Sequence, residues 1–186
     1  MVNRVGITGI LLVSGGLLFI LSFGLEVIGF RQGQLGNFPV DAFLAALMVA
    51  AVTLLGIGLW GLRAWKPPLS RAGRVGLYLS LVALAGFGVT AAALVVSAVQ
   101  TSQPPDIFWF FALGLLLSVI GPILLGAGLR QVSWLGLGRL FPFAVAAGAV
   151  LAFVDIDPWH DIGLLVLGLS WAALGASMLL RKPAAM

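Results

Sequence analysis

Long apolar runs separated by short polar punctuation make up nearly the whole chain. A membrane-crossing helix needs about 20 mostly apolar residues, with a range of about 17–25. Six runs meet that length, at residues 5–30, 40–62, 75–99, 107–129, 140–156 and 162–180. The runs are continuous rather than alternating, and Leu, Ala and Gly dominate them, so helices are expected instead of barrel strands. The connections are short. The pattern therefore predicts an all-α membrane protein, a single integral domain over residues 1–186 built as a six-transmembrane-helix bundle.

The punctuation gives the orientation. Arg63-Ala64-Trp65-Lys66-Pro67-Pro68-Leu69-Ser70-Arg71-Ala72-Gly73-Arg74 sets four positive charges and two prolines between the second and third runs. Such a segment does not sit in hydrocarbon, and paired prolines stop a helix from passing through it. With the six spans in place, Arg4, Arg63, Lys66, Arg71, Arg74, Arg130, Arg139, Arg181 and Lys182 fall on one side. Arg31 and every acid, Glu26, Asp41, Asp106, Asp155, Asp157 and Asp161, fall on the other. The positive-inside rule then expects both termini and the basic loop in the cytoplasm, with the chain in the cytoplasmic (plasma) membrane. Trp60, Trp65 and Trp134 are expected near the inner surface, and Trp109 and Trp159 near the outer one. Trp171 falls near mid-depth, where filling space between helices competes with stacking on a pigment, quinone or lipid ring.

The same marks recur along the chain. Odd runs open on Arg4-Val5-Gly6, Arg74-Val75-Gly76 and Arg139-Leu140-Phe141. Even runs open on Pro39-Val40-Asp41, Pro104-Pro105-Asp106 and Pro158-Trp159-His160-Asp161, and close on Gly-rich segments followed by Arg63, Arg130 or Arg181. Proline suits a first helical turn, aspartate meets the free N–H groups and positive dipole end there, and arginine snorkels at the far end. Three antiparallel hairpin repeats are expected, at residues 4–64, 74–130 and 139–181. This is similar in architecture to small multi-pass proteins built from two-helix units, the HdeD-type acid-resistance membrane proteins among them. That resemblance carries no motif residue, so it implies the unit alone and no activity.

Composition narrows the class further. Of 186 residues, 61% are hydrophobic and 9% charged, against about 25% charged in a soluble domain. The net charge of +4 lies in short loops, not on the basic face that nucleic-acid binding requires. With no cysteine and one histidine, most nucleophile–base pairs cannot be assembled, and no metalloprotease, serine-hydrolase or phosphate-loop motif occurs. A non-enzyme without a cofactor is expected. The first run is longer than a signal-peptide core and is expected to be retained as a span.

Two sets of residues remain as candidates. Ala144, Gly148 and Ala152, and Gly168, Ala172 and Ala176, each repeat every four residues and mark one helix face for close packing. They predict a tight contact between the fifth and sixth helices, and Gly114 and Ser118 extend the pattern to the fourth, where Pro122 is expected to kink the helix. The second set is Asp155, Asp157, His160 and Asp161. These types are competent metal ligands, or a pH-sensitive contact. Against that stands a plain reading with Asp157 as N-cap, Pro158 first in the helix, and His160 and Asp161 in solvent. No ionisable group falls at mid-depth, since Glu26 lies about 33 Å along the helix from Arg4. The expected function is an accessory or scaffolding subunit acting through lipid contacts and helix contacts with other membrane subunits or itself. The alternative is a facilitator or channel for a small neutral or apolar solute, lined by hydroxyls such as Ser80, Thr90 and Ser97.

Overall fold

A computed structural model of the chain describes residues 2–27, 34–35, 38–64, 69–100, 108–154 and 158–180. Six α-helices account for most of them: α1 Val2–Val27, α2 Val40–Gly61, α3 Arg71–Gln100, α4 Phe108–Leu129, α5 Phe141–Phe153 and α6 Trp159–Leu180. Between α1 and α2 a two-residue antiparallel ladder pairs Gln34 with Pro39 and Leu35 with Phe38. Six segments are long and apolar enough to cross a membrane.

Two departures from the expected spans have clear local reasons. α3 begins at Arg71, four residues before the apolar run, because Ser70 caps it. The Ser70 hydroxyl oxygen accepts the Gly73 N–H at 3.1 Å, and the Ser70 carbonyl accepts the Arg74 N–H at 2.9 Å, as a serine N-cap should. The fifth span is α-helical for only 13 residues, about 20 Å at 1.5 Å per residue. A 3-10 segment, Ser133–Leu140, precedes it and supplies the remaining apolar length. Gly136 breaks that segment at φ 54°, a left-handed conformation that glycine adopts without a Cβ penalty. Pro142 then sets the first turn of α5.

The helices form a closed ring in chain order. Each packs on its sequence neighbours, and α1 packs on α6; the contact between α3 and α4 is the most extensive, and that between α1 and α6 is next. Glycine determines how closely they approach. A Cβ built on Gly9 would stand 2.9 Å from the Gly175 carbonyl oxygen, and one on Gly16 would stand 2.6 Å from the Gly168 carbonyl oxygen and the Ala172 nitrogen. In the α3–α4 seam Gly73 meets Gly128, Gly76 meets Gly121 and Leu125, Ser80 meets Gly121, and Gly86 meets Gly114. These pairings run in opposite directions along the two partners, so the helices are antiparallel. The ends of the ring therefore differ: Arg4, Arg63, Arg71, Arg74, Arg130 and Arg139 share one, the basic end, and Asp41 and Asp161 share the other.

The interior is one apolar cluster running between those ends. Leu62, Leu129 and Leu135 are buried at the basic end, Leu12, Leu55, Leu77 and Leu125 above them, and Phe19, Phe87, Leu164 and Leu167 toward the acidic end. The exterior is apolar as well. Ile10, Leu17, Val82, Val89, Leu116 and Ile120 are all exposed, a belt larger than a water-soluble monomer presents.

Candidate functional site

His160 is not in solvent. Its ring is half-buried, Nδ1 lies 2.6 Å from the Ala152 carbonyl oxygen, and its centroid is 6.4 Å from that of Phe111. A carbonyl can only accept, so Nδ1 carries the proton and donates. Ala152 sits in the last turn of α5, where carbonyls lack a helical partner. The side chain from the first turn of α6 therefore caps the preceding helix and ties the two together. The Ile162 N–H bonds the Pro158 carbonyl at 3.1 Å, so Pro158 precedes the first helical residue, one position from the expected register. Asp155 and Asp157 lie outside the described residues. His160 and Asp161 are consecutive on a helix and so diverge rather than converge. Among the described residues no group of three or more His, Cys, Asp or Glu could hold a metal ion. His160→Ala should remove the donor from the Ala152 carbonyl and cost about 1–2 kcal/mol, read as a lower thermal midpoint by circular dichroism in detergent. An unchanged midpoint would show that the contact contributes nothing to the α5–α6 junction.

The small-residue faces are divided between two partners. Gly148 and Ala152 of α5 meet Gly163 and Leu167 of α6, with the Gly148 Cβ position 2.7 Å from the Gly163 carbonyl oxygen. Gly168 and Ala172, in contrast, meet Gly16 of α1, and Gly168 also touches Phe19 and Ile20. The stripe on α6 thus closes the ring against α1 and does not face α5. Ala144 and Ala176 are half-buried. Gly114 lies against Ala83 and Phe87 of α3, and α4 runs unbroken through Pro122.

The hydroxyls of Ser80, Thr90, Ser97 and Ser170 are turned onto their own helices. Ser80 donates to the Gly76 carbonyl at 2.8 Å, Thr90 to Gly86 at 3.0 Å, Ser97 to Ala93 at 2.6 Å and Ser170 to Val166 at 2.7 Å. These donors are satisfied locally. Trp171 is 2% exposed within the core cluster. Trp60, Trp109 and Trp159 are exposed at the helix ends; Trp65 and the side chain of Trp134 lie outside the described residues.

An aromatic chain crosses the ring. Phe23 and Phe19 of α1 have centroids 5.0 Å apart, Phe19 and Phe87 of α3 are 6.2 Å apart, and Phe87 and Phe111 of α4 are 5.4 Å apart. His160 of α6 ends the chain. These spacings are those of favourable tilted and edge contacts. No residue spacing announces this chain, because its five rings come from four helices, two from α1 and one each from α3, α4 and α6, without a shared motif. No protein-family model, curated protein or solved structure matches the chain.

Proposed function

We propose that the chain is a multi-pass protein of the cytoplasmic membrane, its basic end and both termini cytoplasmic, acting without catalysis as an accessory or scaffolding subunit. On this reading it is built from three antiparallel hairpins, and the α1–α6 contact closes them into a ring. The apolar exterior and the charge sorting support insertion and orientation. The observation that carries the functional part is the interior, with leucine and phenylalanine buried from one end of the ring to the other and the aromatic chain across it. A solute facilitator requires a continuous path, and neither the filled centre nor hydroxyls bonded to their own helices favour one. Gentle extraction from native membranes is the test. Other membrane proteins should co-purify at fixed stoichiometry, whereas a clean monomer or homo-oligomer in native mass measurement would overturn the reading.

A further inference from the structure

The contact between α4 and α5 is the least extensive in the ring, and two arginines stand at its basic end. Arg130 follows the last turn of α4, with its guanidinium 5.3 Å from the centroid of Phe143 on α5. Gly126 makes room for that ring, since a Cβ there would stand 2.7 Å from it. Arg139 stands in the 3-10 segment before α5, and its Nη1 lies 3.4 Å from the Arg130 carbonyl oxygen, too long for a strong bond. Each guanidinium carries five N–H donors, and no other hydrogen bond is made by either among the described residues. The described acids, Asp41 and Asp161, are at the far end of the ring. Arg130 is thus held on an aromatic ring with Arg139 against its carbonyl, no counter-charge stands near them among the described residues, and Ala127 of α4 and Ala147 of α5 are small and exposed.

We propose that this seam binds one acidic phospholipid, its phosphate between Arg130 and Arg139 and an acyl chain along Ala127 and Ala147. Arginine suits phosphate because its fork donates two parallel hydrogen bonds. An acidic headgroup fits better than a zwitterionic one because no described carboxylate stands nearby to receive an amine. The proposal rests on the reading of the helices as membrane spans.

The test titrates the purified full chain in detergent with phosphatidylglycerol and phosphatidylcholine by native mass spectrometry. One phosphatidylglycerol should be retained in preference to phosphatidylcholine. Arg130→Gln with Arg139→Gln should weaken that retention by about tenfold or more, while Arg71→Gln with Arg74→Gln, an equal loss of charge at the same end, should leave it intact. Equal loss in both pairs, or loss in neither, overturns the site. Inorganic phosphate displacing the lipid at millimolar concentration overturns the lipid as occupant. If the glutamine pair does not fold, Arg130→Lys with Arg139→Lys keeps the charge but not the fork; retention should still fall, and unchanged retention counts against the proposal. Release of the native chain from membranes by alkaline wash would instead sink the membrane reading, independently of what the detergent titration shows.

Discussion

Gly76→Ala is expected to lower the unfolding midpoint of the protein by more than any other single-methyl addition in the α3–α4 seam. The added Cβ would collide with the Leu125 nitrogen, and stand 2.5 Å from the Gly121 carbonyl oxygen and 2.7 Å from the Leu124 carbonyl carbon. All three are backbone atoms of a helix, which cannot turn aside as the end of a flexible side chain can. The two helices must move apart, and the dispersion gained at Gly73–Gly128, Ser80–Gly121 and Gly86–Gly114 weakens together, because one rigid contact surface is being wedged open. Overpacking of this kind costs about 1–3 kcal/mol and occasionally more, and backbone-on-backbone contact places Gly76 at the upper end. Gly56→Ala is the control. Nothing lies within 4 Å of a Cβ at Gly56, and exchanging glycine for alanine in a helix gains up to about 1 kcal/mol. The two substitutions should therefore shift the midpoint in opposite directions in denaturant or thermal unfolding. A common direction and size would mean that close helix approach at Gly76 does not hold the seam.

That contrast also shows where the sequence was readable and where it was not. Apolar run length locates all six helices, since a run of about 20 residues has a physical meaning before any fold is known. The run at 140–156 starts within one residue of α5, but run length gives no sign of the 3-10 segment before it, where Gly136 and Gly138 are the informative residues. Run length also starts α3 four residues late, although Ser70, three residues before Gly73, is a legible N-cap. Spacing of four identified small faces on α5 and α6 but could not assign their partners. Spacing points Gly168 and Ala172 at α5, the neighbour in sequence, whereas they lie on α1, and only the closure of the ring brings residues about 150 positions apart into contact. None of the readings open to His160 includes its actual partner, a backbone carbonyl, which leaves no trace in residue type. The aromatic chain from Phe23 to His160 leaves no sequence signal for the same reason as ring closure: four helices supply rings whose significance is purely spatial.

Phe87→Ala should be the most destabilising truncation in the interior and the one that best separates a scaffold from a conduit. Phe87 is fully buried and stands between Phe19 and Phe111, 6.2 and 5.4 Å away. Removing such a ring from a packed core costs about 3–5 kcal/mol, part from the lost transfer of the side chain and part from the cavity that remains. Phe87→Leu fills most of that volume and should recover much of the loss, so the pair distinguishes packing from a specific role of the ring. The same cavity bears on transport. It would be lined by Phe19, Phe111 and aliphatic neighbours, and an apolar void of that kind stays dry. Reconstituted vesicles carrying the native chain should therefore pass water and small neutral solutes at the rate of lipid alone, and Phe87→Ala vesicles should do the same despite their lower midpoint. Flux above the lipid background in the native chain, altered in Phe87→Ala, would identify the aromatic crossing as a gate. The scaffold reading would then give way to a facilitator whose narrowest point is Phe87.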